Sequence, residues 1–396
     1  MEKQERNYGI DLLRIVSMFM VVMLHVIGHA GGMASSQPFL SVKGELIWTL
    51  EIACYCAVNC YALISGYVGV KAKHKYSNLI YLWLQVLFYS VLSTVIISVV
   101  NIANGISISI MDLLKSFFPV ATSRYWYFTA YFCLFLFIPI LNHVLHTAPR
   151  KMLKSGLIAV IVLFCIVDGI QSVRSFGLEG GYSFLWLAVL YLIGGYISKY
   201  EVLKKYSAKR CFLIYFLCVA IICCSRIVIG LLTQWLLGSV RYENLLLGYQ
   251  DFFVTACAVC LLIGFSKLKI GAKTAKVISW ISPLSFGVYL IHLTPFVWGW
   301  LKGRFAFFAD YNVFVTLGLI FAAVIAIYTI CMAIDFVRLQ VFKLLKIKKF
   351  SVWLEKMIGK CITFILRIFH LSLKEESTTE PLPNNETENV SATGAR

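Results

Sequence analysis

Residues 10–28 read Ile10-Asp11-Leu12-Leu13-Arg14-Ile15-Val16-Ser17-Met18-Phe19-Met20-Val21-Val22-Met23-Leu24-His25-Val26-Ile27-Gly28. A helix of about 20 apolar residues, rising about 1.5 Å per residue, spans the roughly 30 Å hydrocarbon core of a bilayer. This stretch therefore predicts a membrane-crossing helix, almost purely apolar apart from Asp11 at its start, a lone Ser17, and Arg14 and His25. Arg14 and His25 are eleven residues apart, close to three turns at about 3.6 residues per turn, so both project from one face, roughly 16 Å apart along the axis. A charge near the bilayer centre costs about 3 kcal/mol even on a lenient scale, and such residues mark functional sites by default. The pair is expected to face a protein interior or a wet cavity.

Outward from this helix the pattern repeats. The 396 residues are 60% hydrophobic and 14% charged, with a mean hydropathy of +0.81, which excludes an ordinary soluble enzyme. Ten apolar runs of membrane length occur, at about 10–28, 46–70, 77–101, 125–142, 155–171, 182–198, 211–233, 247–265, 277–300 and 312–342. Lipid cannot satisfy free backbone groups, so the runs are expected to be helices. A barrel would need alternating segments of about ten residues. The expected fold is an all-α polytopic membrane protein of about ten transmembrane helices.

The net charge of +17 maps onto topology. Fifteen Lys and Arg residues fall in the short loops of one side (Lys71, Lys73, Lys75; Arg150, Lys151, Lys154; Lys199, Lys204, Lys205, Lys209, Arg210; Lys267, Lys269, Lys273, Lys276). Lys3 and Arg6 join them, whereas the intervening loops hold seven, namely Lys43, Lys115, Arg124, Arg174, Arg241, Lys302 and Arg304. The positive-inside rule then puts both termini in the cytoplasm and removes the case for a nucleic-acid partner. No small-residue cleavage site follows the first run, so no cleavable signal peptide is expected. Nearly all of the thirteen cysteines lie inside the runs, where cysteine behaves as a small hydrophobe. Cys257 and Cys260 form a CxxC with no second pair, so no metal is expected.

Three segments follow from this reading: a membrane domain over 1–345, a basic amphipathic interfacial helix over 346–374, and a disordered cytoplasmic tail over 375–396. The helix interleaves Lys346, Lys348, Lys349, Lys356, Lys360 and Arg367 with Phe350, Trp353, Leu354 and Ile358, a pattern suited to an anionic leaflet. The tail is polar and carries sequons at Asn385 and Asn389, which a cytoplasmic location would leave unused.

Four ordered motifs sharpen the functional reading. They are Asp11-Leu12-Leu13-Arg14 with His25; Leu63-Ile64-Ser65-Gly66-Tyr67 before the basic turn Lys71-Ala72-Lys73-His74-Lys75; Tyr125-Trp126-Tyr127-Phe128-Thr129-Ala130-Tyr131 running to Pro139-Ile140-Leu141-Asn142; and Ser282-Pro283-Leu284-Ser285-Phe286-Gly287-Val288-Tyr289-Leu290-Ile291-His292. Over residues 7–342 the chain resembles the acyltransferase-3 family, integral membrane enzymes that move acyl groups from acyl-coenzyme A to extracytoplasmic sugars. That resemblance implies a bacterial plasma- or inner-membrane O-acyltransferase, most simply an acetyltransferase, with acetyl-CoA or another acyl-CoA as donor. A cell-surface glycan or its lipid-linked precursor would be the acceptor. It places Arg14 and His25 in the catalytic site and coenzyme A phosphates at Lys71, Lys73 and Lys75. Many relatives use arginines there, and lysine offers a point charge instead of a bidentate fork.

The residues admit roles consistent with this. A histidine of near-neutral pKa is suited to take the proton from a sugar hydroxyl attacking a thioester. Arg14, nearer the cytoplasm, could steady the donor; alternatively it snorkels, with Asp11 as its partner or a helix cap. Trp126 and Tyr127 are either an aromatic belt or a stacking platform for the acceptor. Tyr289 and His292 belong to a helix whose Gly287 permits close packing, and His292 either lines the cavity or is a satisfied core histidine. Glu51, Asp168, Arg226 and Asp251 are further ionisable groups that the sequence leaves unplaced. The chief alternative is a glycan transporter that uses the same cavity without chemistry.

Overall fold

The computed structural model describes residues 6–29, 32–106, 109–167, 176–202 and 205–368. Asp168, residues 369–374, the tail 375–396 and its two sequons lie outside the described residues. Those described form helices with no strand among them. Seven helical segments are long and apolar enough to cross a membrane: Tyr8–Ser36, Val42–Gly69, Tyr76–Ala103, Trp126–Thr147, Ala208–Leu237, Ala272–His292 and Val313–Leu344. Two further apolar helices, Phe184–Tyr200 and Phe252–Ser266, are shorter. The remaining expected run falls on Arg150–Ile161 and the π-helical turn Val162–Val167 that continues it. The ten runs thus all meet helices, and the difference from seven is one of helix length.

We number the helices used below as α1 (Tyr8–Leu24), α2 (Val42–Cys54), α3 (Ala57–Gly69), α4 (Tyr76–Ala103), α5 (Ile110–Ser116), α6 (Trp126–Thr147), α7 (Arg150–Ile161), α8 (Phe184–Tyr200), α9 (Ala208–Leu237), α10 (Phe252–Ser266), α11 (Ala272–Ile281), α12 (Ser285–His292), α13 (Pro295–Leu301), α14 (Val313–Leu344) and α15 (Ile347–Ile368).

Helix α8 is largely buried beyond its first two residues, and glycines let it meet α3 backbone to backbone. A Cβ on Gly66 would come within 1.9 Å of the Tyr191 carbonyl oxygen, and one on Gly194 within 2.1 Å of that of Leu63. Between helices in lipid, where water drives nothing together, such close approach supplies much of the attraction. The glycine of the Leu63–Tyr67 motif is therefore a packing residue. Gly66→Ala is expected to destabilise the protein by about 1–3 kcal/mol, read as a lower melting temperature in detergent.

A second tie is ionic. Asp335 and Arg338, one turn apart on α14, have side chains 0% and 2% exposed and pair at 2.6 Å. Asp335 Oδ1 also accepts from Tyr89 (2.8 Å), Gln85 (3.2 Å) and Arg338 Nε (2.9 Å). Gly287 on α12 sits against this carboxylate, since a Cβ there would lie 1.9 Å from Asp335 Cγ. The cluster joins α4, α12 and α14, and it holds the helix that carries Tyr289 and His292.

At the other end of the bundle Arg226 of α9 donates to both oxygens of Glu45 on α2, at 2.9 and 2.7 Å. Its guanidinium also lies 4.4 Å from the Trp48 ring centroid. Asp251 caps the loop into α10 by accepting from the Gly248 amide. Two of the unplaced ionisable groups are thus structural ties. Helix α15 packs along α4.

Candidate active site

Helix α1 begins where the Asn7 side chain accepts from the Ile10 amide (3.2 Å) and donates to the Ser266 carbonyl at the end of α10 (2.8 Å). Asp11 then gathers two cations: Oδ2 accepts from Arg6 and Oδ1 from Arg14, each at 2.5 Å. One carboxylate thus faces two guanidiniums, which leaves a net positive charge, and the Arg14 side chain keeps 32% of its surface exposed. Its carbonyl accepts from the Tyr61 hydroxyl at 2.6 Å.

From that point the face of α1 predicted by spacing becomes the wall of a cavity. Met18, Val21 and His25, four, seven and eleven residues beyond Arg14, line about 550 Å³ of empty space together with Tyr61, Tyr127, Phe286 and Tyr289. The helix changes to a π turn at His25–His29, a distortion frequent at functional sites. His25 also borders a wider chamber of about 1200 Å³, walled by Trp48, Tyr55, Trp126, Tyr182, Tyr249 and Trp298, with Glu51 and Asn244 as its polar groups. Leu24, His25, Trp126, Tyr249 and Leu293 border both spaces. His25 therefore stands where a narrow tyrosine-lined cavity meets a broad aromatic one.

The histidine is oriented from behind. His292 Nδ1 lies 2.6 Å from the Val288 carbonyl, which can only accept, so Nδ1 carries the hydrogen. The neutral ring then offers its Nε2 lone pair, and His25 Nδ1 is 2.9 Å away. His25 consequently donates through Nδ1 and carries its own lone pair on Nε2, the form a general base requires. The Trp298 ring meets His25 edge-on at 5.3 Å between centroids.

The aromatic chamber is built on a buried amide. Asn59 donates to the Tyr249 carbonyl (2.6 Å) and accepts from Trp186 Nε1 (3.2 Å). Tyr249 in turn stacks near Trp126 at 6.2 Å and 23°. Tyr182 packs 4.5 Å from the same indole.

The residues singled out by sequence are thus distributed unevenly. Trp126 borders both spaces, and Tyr127 and Tyr289 border the narrow one. His292, 1% exposed, stands behind His25 and not in the cavity wall. Lys71, Lys73 and Lys75 are exposed in the turn between α3 and α4 and border neither space. Within that turn His74 packs on Phe135 at 4.6 Å, and burial holds its pKa below the usual histidine value, with Glu355 opposing. Tyr61, Tyr249, Trp298 and the position of Glu51 were not read from sequence, because they depend on which helices become neighbours. No group of three or more His, Cys, Asp or Glu among the described residues is placed to hold a metal ion.

A family model described as an acyltransferase domain matches residues 7–335. The chain belongs to the acyltransferase-3 family. No curated protein and no solved structure matches it. As a member of the acyltransferase-3 family it is a membrane acyltransferase, and the matched residues take in both cavities, the histidine pair and the basic turn.

Proposed function

We propose that the protein is an O-acyltransferase of a bacterial plasma or inner membrane. It takes an acyl group, acetyl in the simplest case, from cytosolic acyl-CoA and delivers it to a hydroxyl of an extracytoplasmic or lipid-linked glycan. In this reading both termini are cytoplasmic, α15 lies on the inner leaflet and the tail follows it in the cytosol. The observation that carries the proposal is the Val288–His292–His25 chain at the junction of two cavities. The wide one has the aromatic walls and the few polar groups suited to a sugar ring. The narrow one follows α1 from His25 back to Met18, one turn short of Arg14, and on this reading it takes the thin pantetheine arm.

His25 Nε2 removes the hydroxyl proton as the acceptor oxygen attacks the thioester carbonyl. The tetrahedral intermediate then collapses, the carbon–sulfur bond breaks, and the coenzyme A thiolate leaves with the proton returned from His25. His292 is a positioning residue. Tyr127 and Tyr289 have buried hydroxyls whose protons meet no acceptor among the described residues, and they are the donors suited to the oxyanion. Arg14 and the lysines 71, 73 and 75 serve the donor as electrostatic guides at the basic end.

The reading is tested with purified protein, labelled acetyl-CoA and a surface-glycan extract. Label is expected in the glycan as a base-labile ester, and consumption of no acyl-CoA under any acceptor would overturn it. Tyr127→Phe should lower kcat about a hundredfold, the lower range for losing one oxyanion donor, with an unchanged melting temperature. A normal kcat would remove Tyr127 from the mechanism.

A further inference from the structure

A third cavity lies beside the aromatic chamber, and no step above uses it. It is a cleft open to solvent, about 840 Å³ including that open space, between the second half of α4 (Thr94, Ser98, Asn101), helix α5 (Asp112, Lys115) and Arg124. Its lining differs from that of its neighbour: two cations, one carboxylate, hydroxyls and an amide stand among apolar surface that includes Ile97 and Pro295.

Arg124 is held but not saturated. Its Nη2 donates to Thr94 Oγ1 at 2.8 Å and to Ser93 Oγ at 3.4 Å, while its buried Nε finds no acceptor. Neither Arg124 nor Lys115 forms a salt bridge among the described residues. The Nε has no accessible surface, but Nη1 makes no hydrogen bond among the described residues and is not closed off. A half-buried guanidinium with that donor, a second cation and surrounding hydroxyls is the arrangement that receives an oxyanion on a polyol. Asp112 lowers the local charge to a net of one positive and supplies an acceptor for sugar hydroxyls.

The cavity is also placed to act with the first site. Arg124 borders it while Trp126, two residues on, borders the aromatic chamber; Pro295 and Leu293 divide the same way. Two residues of chain span at most about 7 Å, the scale of one sugar unit. We propose that this cavity binds the phosphate or carboxylate of the saccharide unit adjoining the one acylated, so that the acceptor is an anionic glycan. Its role in acceptor choice rests on the acyl-transfer reading; the binding itself does not.

The test is binding to the full chain in nanodiscs of zwitterionic lipid. The probes are a fluorescent glycerol-phosphate oligomer, an oligogalacturonate and a neutral galactan oligomer of equal length. At least one anionic probe is expected to bind tenfold or more tightly than the neutral one, and to weaken as salt rises. Lys115→Gln, whose exposed side chain makes no hydrogen bond or ion pair among the described residues, and Arg124→Gln should each lower that affinity about fivefold or more, whereas Lys302→Gln, at an equally exposed cation outside the cavity, should not. Arg124→Lys, which keeps the charge, should retain part of the binding. Equal binding of the neutral probe, binding of no probe, unaltered affinity in Lys115→Gln, or an equal loss in Lys302→Gln would each overturn the proposal. So would complete displacement by phosphatidylglycerol in the nanodisc, which would assign the cavity to a lipid headgroup. Because acyl transfer is not read here, an inactive enzyme would refute the function above and leave this result standing.

Discussion

His25→Ala is expected to lower acyl transfer by about 10²–10⁴-fold, the range for a lost general base, at unchanged expression and melting temperature. The loss should fall on kcat, because on the proposed reading the walls that would hold donor and acceptor are other residues: Tyr61 and Tyr127 in the narrow cavity, Trp126 and Tyr249 where the two spaces meet. The substitution opens a space beside His292 Nε2, so millimolar imidazole should restore part of the rate. His292→Leu makes the complementary case. It keeps the base but removes the acceptor that fixes His25 Nδ1–H, so a smaller loss is expected, with no imidazole rescue. A His25→Ala enzyme that acylates at the normal rate would remove His25 from catalysis.

The largest stability effect is expected at the buried ion pair that holds α12 from behind. Arg338→Leu leaves Asp335, fully buried, with two neutral donors, Tyr89 and Gln85, and no compensating charge. Removing one partner of a buried ion pair costs about 3–5 kcal/mol. The variant should melt well below wild type in detergent or fail to accumulate. Replacing both partners with apolar residues should recover much of the loss, since that removes the stranded charge together with its partner. If Arg338→Leu melts like wild type, the cluster is not what holds α4, α12 and α14 together.

Much of this was legible in the chain. The period of α1 put Arg14 and His25 on one face, and Met18 and Val21 between them do line the cavity. Hydropathy located the helices, and the spacing of Asp11 and Arg14 anticipated their pairing. What was hidden depends on packing between distant segments. The bond from His25 to His292 joins residues 267 apart, and no local pattern distinguishes it from two unrelated histidines. Asp335 and Arg338 sit inside the last apolar run as an i, i+3 pair, a local signal of pairing that does not say which helices the carboxylate will join. Gly66 and Gly287 sat in motifs that point to chemistry; their crowding against Tyr191 and Asp335 shows that each also serves close helix packing.

In the proposed reaction one membrane domain carries an acyl group from a donor at its basic end to an acceptor at the opposite end, past His25. The direct measurement uses the purified chain in sealed vesicles, with labelled acetyl-CoA confined to one side and glycan to the other. Wild type should place label in the glycan across the bilayer as a base-labile ester, and His25→Ala should not. Label that appears only when donor and acceptor share a compartment, or that crosses equally well with His25→Ala, would contradict the account.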